Sequence, residues 1–591
     1  MYADNGNLRD KRIRIPNYFV DVRPHELLVI NTPTFQRLFG IKQLGLAYMV
    51  YPYATHSRGA HSLDCMYWAQ MIIDSLVNNG FIDQEKQAEE IEITRLSALL
   101  HDVMHIPYGH TLEDEARILR RHDKSDRIDL MLTCIEEEML KADGHLLLAL
   151  GVPRKQDYDK VRRLLGEVRK VLWTIALHDE TNTENRTILE NDRYYIADII
   201  GNTMCADLLS YIGKDVDYTG IERKSGGYTI FNYMELAKDS DGKKRVAIRL
   251  TKGGLRPDIV SAIQSILEVR YALTEQVIYH HAKCSASAML AKIATLCGIT
   301  ESNELYQIGD EGLMLLLEQK IGGLPEQLED GRLFRSAVAN LLMNLKARRL
   351  HKRVFRITES QRREYDKNHQ IGLAQRYGSV QARTELENFV ESALNLEPGS
   401  LILFCPSPKT ALKEAKVMVT YDKVKEAMSN AVTTPVAVEL RSDKLAEDYP
   451  EISKRVRGLE EQYLSLWSSY GFLDPEKFGY AAGVKELLER ELGIISDPLF
   501  ELYLNAKKEY RESKRIEEAQ AKRGTDAKAQ VYQGILEMVA RQGAEPTGEA
   551  IDDDTLKRVV DAAYEQKEIE TEAPHSSSAE KTTQPQKKLI E

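Results

Sequence analysis

Apolar residues recur at three- and four-residue spacings from about residue 24 to residue 300, the period of amphipathic helices. LDCMYWAQMIIDSLV and PDIVSAIQSILEVRYALTEQVIYHH are the longest such runs, and the stretches between runs are short. Strand signals are scarce here. YTIFNY and RVAIRL, with the turn-forming SDGKK before the second, predict one small hairpin. Further on the pattern changes: HKRVFRI, SLILFCPSP, KVMVTYD and PVAVELR are short and rich in Val and Ile, and they alternate with helical stretches such as TELENFVESAL. Helical spacing resumes near Ile452, with LEEQYLSLWSSYG its most amphipathic part. KKEYRESKRIEEAQAKR is charged all round, which predicts a solvated helix. APHSSSAEKTTQPQKK has the composition of a disordered tail. The expected fold is mainly α, an all-helical core with a smaller α+β lobe towards the C-terminus. Its expected divisions are an N-terminal arm (1–23), the helical domain (24–300), the α+β lobe (301–445), a helical C-terminal region (446–545) and the tail (546–591).

Composition narrows the class. A chain of 591 residues with 43% hydrophobic and 29% charged residues has apolar material for large cores in two or more domains. The net charge of −11 disfavours nucleic acid as a partner, because broad binding to phosphates needs a basic surface. The chain has no apolar run of about 18 residues, so no membrane span is expected. MYADNGNLRDKR lacks the apolar stretch of a secretory signal, which points to the cytoplasm. Cys65, Cys134, Cys205, Cys284, Cys297 and Cys405 are scattered without a CxxC pair, so free thiols are expected rather than disulfides or a zinc finger. Neither a GxxxxGK[ST] loop nor a GxSxG elbow is present, which removes ATP-driven work and the serine-hydrolase elbow.

The candidate chemistry sits in SALLHDVMHIPYGHTLEDE, where an apolar helix runs straight into His101-Asp102. Adjacent helical residues project about 100° apart, so both side chains can converge on one ion at the edge of a face. His61 on an earlier helix and Asp207 on a later one would complete two imidazoles and two carboxylates, a set suited to one divalent metal with open positions. Buried without such a partner, these groups would be costly. His105 follows His101 on the same helical face, His110 and the pair His122-Asp123 come next, and Arg58 precedes His61 by one turn. A second His-Asp pair, His178-Asp179, has no comparable polar surroundings and is read as structural.

TPTFQRLFGIKQLGLAYMVYPYATHSRGAHSL resembles the opening segment of the HD-domain deoxynucleoside triphosphate triphosphohydrolases, which include bacterial dGTPases and the vertebrate SAM-and-HD-domain enzyme. The resemblance continues through LLHDVMHIPYGHTLEDE and ADLLSYIGKDVDYTG, covers about residues 24–300, and is looser at LILFCPSPKTALKEAKVMV. It implies that residues 24–300 are an HD domain and that His61, His101, Asp102 and Asp207 bind one divalent ion: Mn, Fe, Zn or Mg. It further implies release of a deoxynucleoside and intact triphosphate. In that scheme His122, oriented by Asp123, is the general acid, and His105 lies against the phosphates. Arg58 and Arg270 hold phosphate oxygens, with His110 and Lys214 nearby. Gln43, Leu44, Tyr211 and Asp215 meet sugar and base. The chain departs from the vertebrate pattern at Leu208, where that enzyme carries a phosphate-contacting lysine, and at Ile278, where the family tyrosine stands. Tyr279 is the nearest substitute, with His280 and His281 on the same wall.

The resemblance also implies a homo-oligomer and a nucleotide activator; KARRLHKRVFRI, the most basic short run, reads first as a solvated strand-and-helix edge and next as a place for that activator or for a nucleic-acid backbone. Nucleotide-pool control and phage defence are the roles it suggests. Two other readings stand beside it, an HD-family nucleotidase or phosphodiesterase and a nucleotide sensor without turnover.

Overall fold

The computed structural model describes residues 11–16, 18–141, 155–176, 188–223, 227–252, 254–407, 417–422, 436–498 and scattered positions up to 518. It is mainly helical. Helix α1 (Arg58–Asn78) starts where the Ser57 side chain accepts the Ala60 N–H, a cap that satisfies one of the free donors of the first turn. Helix α2 (Gln87–Leu100) carries Glu89 and Glu90 in its first turn, where acidic groups suit the helix dipole, and every residue from Ile93 to Leu100 is buried. Helix α3 (Ala206–Thr219) begins at Cys205 and stops at Gly220, whose φ of 72° is the left-handed geometry glycine tolerates. Helix α1 packs against both α2 and α3, so the three elements bearing His61, His101-Asp102 and Asp207 meet along one seam.

Helix α4 (Pro257–Leu273) packs on α3, and α5 (His281–Leu296), almost wholly buried, continues towards the lobe. Helices α6 (Asp310–Gly322) and α7 (Val380–Ala393) follow. Among the described residues there are three small sheets. Strands β1 (Lys11–Ile15) and β2 (Tyr18–Val22) form an antiparallel hairpin. Strands β3 (Met234–Lys238) and β4 (Lys244–Arg249) pair antiparallel, and β4 runs parallel to β7 (Met418–Thr420), which in turn pairs with β8 (Val438–Glu439). In the third sheet β9 (Ser468–Leu473) lies between β5 (Lys352–Thr358) and β6 (Leu401–Phe404), antiparallel to both.

Two local expectations need correcting. YTIFNY belongs to a 3-10 turn (Gly227–Tyr233), and the hairpin's first strand is the next segment, MELAK. The amphipathic run through LSLWSSYG does not stay helical: its helix ends at Leu464 and SSYGFL becomes β9. All six of those residues are buried between two neighbouring strands, and the Ser469 hydroxyl donates to the Phe404 carbonyl, so its polar atom is no obstacle to a central strand.

Residues 1–497 form one compact unit, with Pro498–Glu591 as another. The expected division near residue 300 therefore falls inside a single packed body, because α5 lies against β5 and β6 and the main apolar core runs from Ile15 to Phe472. A second cluster surrounds the β5-β9-β6 sheet. Most of the charged 500–530 stretch and the whole 546–591 tail lie outside the described residues. All six cysteines are free. Among the described residues no helix is long and apolar enough to cross a membrane.

Candidate active site

Of the four residues expected to bind metal, His61, His101 and Asp207 form one cluster, and Asp102 lies at its edge. His61 Nε2 lies 3.1 Å from Asp207 Oδ1, and His101 Nε2 lies 3.7 Å from the same oxygen. The Asp102 oxygens are 3.8 Å from His61 Nε2 and 3.5 Å from His101 Nε2. Donors held about 2.0–2.2 Å from one ion stand roughly 3.0–3.5 Å from one another, so His61, His101 and Asp207 form a cluster close to that spacing, while Asp102 meets the two imidazoles through different oxygens and groups with His105 and His122. The ring orientations agree. His101 Nδ1 bonds the Ala98 carbonyl at 2.7 Å and His61 Nδ1 faces Ser210 Oγ at 2.9 Å, while both Nε2 atoms are buried and without a hydrogen-bond partner among the described residues. A carbonyl at Nδ1 requires the proton there and turns Nε2 of His101 towards the cluster, where Asp102 and Asp207 favour a second proton on the ring until a metal displaces it. These residues fit a divalent metal.

Asp102 is shared between two clusters. Arg58 Nη1 donates to its Oδ2 at 2.6 Å, and His105 Nε2 is 3.2 Å from its Oδ1. Burial alone would raise the Asp102 carboxyl, but His101, Arg58 and His105 outweigh it and keep it well below the ordinary range. Burial, with Arg58 and His122 beside it, pushes His105 well below the usual histidine range, so its ring is neutral.

Beyond His105 the chain turns at Tyr108, whose φ of 49° is left-handed, and enters a single π turn, Thr111–Glu115. That turn buries three consecutive carboxylates and gives each a different partner. Glu113 Oε2 accepts the His122 Nδ1 bond at 2.9 Å and the His122 backbone N–H at 3.0 Å, while Arg127 donates to Oε1 at 2.5 Å. Asp114 bonds His110 Nδ1 at 2.7 Å, and Glu115 pairs with Lys283 of α5. The His122 ring stacks on His105 with centroids 3.6 Å apart. The expected orienter of His122, Asp123, instead binds Arg121 at 3.0–3.3 Å. Burial would raise Glu113, but His122 and Arg127 hold it below its usual value, so it is a carboxylate beside the ring. A neighbouring residue in the chain thus yields to one presented by the fold.

The other expected contacts divide. Asp207, Tyr211 and Asp215 follow one another on α3, with Tyr211 partly buried. Asp215 accepts from His56 Nε2 at 2.7 Å, and His56 stacks on Tyr218. Gln43 donates its backbone N–H to the His56 carbonyl, its side-chain Oε1 is buried without a hydrogen-bond partner among the described residues, and Leu44 packs on the core. His110 is half exposed. Arg270 is half-buried on α4. Lys214 is engaged by the N-terminal hairpin: its Nζ donates to the Pro16 carbonyl and lies over the Tyr18 ring. Leu208 is core. Tyr279 is corrected too, since it is buried in the lobe's apolar cluster, where burial raises its hydroxyl far above the ordinary range. His178-Asp179 lies outside the described residues.

The HD-domain family matches residues 58–181, a span that takes in Arg58, His61, His101-Asp102 and the acid cluster and ends before Asp207. The chain contains an HD domain. Metal-dependent phosphohydrolases are built on this domain, and the His/Asp donors described above are a group able to hold its divalent ion. The HD-domain chain is similar to an uncharacterised protein of Methanocaldococcus jannaschii, 27% identical over 325 residues, 53% of this chain and 56% of that one. It is 25% identical over 244 residues to the human deoxynucleoside triphosphate triphosphohydrolase SAMHD1, covering 39% and 36% of the two chains. An uncharacterised Bacillus subtilis protein is 25% identical over 315 residues, 53% of this chain and 60% of its own. The chain thus spans less than two thirds of the length of each of these relatives. A crystal structure of a Bacteroides thetaiotaomicron phosphohydrolase aligns with a TM-score of 0.49 at 18% identity, covering 78% of this chain and 99% of that one.

Several residues around the HD motif escape sequence reasoning. Glu113 sits within the quoted HTLEDE run, and its signal is an acidic triplet that the fold buries. Arg127, 2% exposed, is the cation that keeps it charged. Ser210 and His56 are visible only once α3 lies against the segment leading into α1.

Proposed function

We propose that this HD-domain protein hydrolyses deoxynucleoside triphosphates to the deoxynucleoside and intact triphosphate. The observation that carries the reading is the His122–Glu113 pair, stacked on His105 directly beside the metal donors. Cleavage at the 5′ oxygen expels an alkoxide, which needs a proton, and a histidine backed by a buried carboxylate can deliver it. A divalent ion, when bound, polarises a phosphoryl oxygen and makes its water more acidic. The chain supplies the rest. Arg58 orients Asp102 through one N–H and keeps further donors for a phosphate oxygen. His105, being neutral, adds a hydrogen-bonding edge without a second positive charge. Gln43 Oε1 and the Asp215 carboxylate, steadied by His56, are the groups we assign to the sugar. The name of the human relative supports the same substrate class.

The test is incubation of the purified chain with Mn and each dNTP or NTP, alone and in pairs, with products resolved by phosphorus NMR. Inorganic triphosphate from at least one dNTP is the expected result. Orthophosphate from monophosphates alone would instead mark a nucleotidase, and nucleotide-driven assembly without turnover would mark a sensor. Activation by a second nucleotide and formation of a homo-oligomer belong to the same proposal, read from the paired incubations and from light scattering.

A further inference from the structure

Asp310 lies well beyond the HD match, at the first residue of α6, and its side chain is fully buried. Its two oxygens accept from two different segments. Oδ2 accepts the Lys42 backbone N–H at 3.0 Å, with Lys42 Nζ at 3.5 Å. Oδ1 accepts the Tyr108 backbone N–H at 3.1 Å. Lys42 directly precedes Gln43 and Leu44, and Tyr108 lies between His105 and His110 at the left-handed turn. A second contact fixes the same approach: a Cβ on Gly309 would stand 2.8 Å from the Gly40 carbonyl, so only glycine lets the two backbones meet.

We propose that Asp310 is a positioning residue that holds both walls of the active site, the segment bearing Gln43 and the turn bearing His105 and His110, in one register. This inference rests on the proposed function for its kinetic arm alone. An N–H at each oxygen demands two acceptors, which a carboxylate provides and an amide does not. In Asp310→Asn the amide oxygen stays towards Lys42, where an N–H and an ammonium both attract it, and the NH₂ turns against the Tyr108 N–H. The defect then falls on the histidine turn. A displacement there costs turnover more than binding.

The experiment compares wild type, Asp310→Asn and Asp310→Ala by peptide-resolved hydrogen exchange, metal content, thermal melting and steady-state kinetics. In Asp310→Asn the peptide containing Tyr108 loses protection while that containing Lys42 keeps it, bound metal is unchanged, and kcat falls about 10- to 100-fold with KM nearly constant. In Asp310→Ala both peptides lose protection and KM rises as well. Unchanged protection at Tyr108 in Asp310→Asn, unchanged kcat despite its exposure, or a uniform loss of protection across the fold would overturn the proposal. If the wild type hydrolyses no nucleotide, the functional reading fails by itself, and the exchange and metal measurements still decide on Asp310.

Discussion

Replacing Glu113 by Gln tests the acid–base assignment most directly. The amide preserves the shape of a side chain with no solvent exposure but removes the charge beside His122. Glu113 holds the ring at Nδ1 over 2.9 Å, and this is a charge-assisted bond. Such bonds contribute about 1.5–3 kcal/mol, against roughly 0.5–1.5 kcal/mol for neutral ones. The amide oxygen keeps a neutral bond to His122, so the loss is the difference, about 1–1.5 kcal/mol, which at about 1.4 kcal/mol per tenfold change slows proton delivery about 5- to 12-fold. Arg127 keeps Glu301 at 3.2 Å and the Arg120 carbonyl at 2.9 Å, so its guanidinium is not stranded. The assay compares two phosphoesters on the same preparation. A dNTP expels an alkoxide that requires a proton, whereas bis(p-nitrophenyl) phosphate expels a phenolate that leaves without one. Glu113→Gln should slow the first reaction by the calculated factor and the second hardly at all, with metal content unchanged. Equal losses on both substrates would refute the acid–base reasoning, and so would full activity on the dNTP.

Other outcomes follow from the same geometry. His101→Ala and Asp207→Ala should each lose bound metal together with activity, measured by elemental analysis. In the wild type, Mn at about one hundred times its dissociation constant should raise stability by about 2.7 kcal/mol, and neither variant should show that rise in thermal melting. His122→Ala should keep its metal and lose about 10²- to 10⁴-fold in turnover of a dNTP. Burial pushes the Glu391 carboxyl up to about 7 from 4.5, against the pull of Lys292 and the N–H groups of Leu401 and Gly399. Its folded value is the higher one, so folding favours the proton: the contribution is intact in acid and is lost as pH rises from 4.5 through about 7, a change of about 3 kcal/mol. Glu391→Gln should flatten that part of the melting-temperature profile, and an unaltered slope would assign it elsewhere. Lys283→Met strands Glu115 in a pair that is almost wholly buried, and should destabilise the fold by about 3–5 kcal/mol in denaturant titration.

How far the chain could be read beforehand depended on distance along it. A His/Asp cluster able to hold a metal was legible because a His-Asp step at the end of an apolar helix is costly to bury unless an ion pairs with it, and the helical period placed Asp207, Tyr211 and Asp215 on one face. The partner of His122 was not legible. Asp123 is adjacent in the chain, but adjacency on a turn does not bring two side chains together, and the π turn offers Glu113 instead. Tyr279 was misplaced for a related reason. One position of helical rotation decides between a cleft and a core, and here it selects the core. Strand β9 hid behind its serines, whose hydroxyls look solvent-facing until a neighbouring carbonyl is found for one of them. Asp310 left no local trace, because its meaning lies in two backbone amides more than two hundred residues away.

The order of strands in the third sheet has a bearing on how the chain is made. Its central strand is the last of the three to leave the ribosome: Leu473 sits opposite both Lys352 and Leu401, which are synthesised well before it. Until then β5 and β6 have no partner between them and present open hydrogen-bonding edges, the kind of surface that pairs with other chains. A nascent or truncated chain that stops before Ser468 is therefore exposed to aggregation even though its HD domain is complete. Chaperone dependence during synthesis, or insolubility of such a truncation, is a property of strand order and not of catalysis.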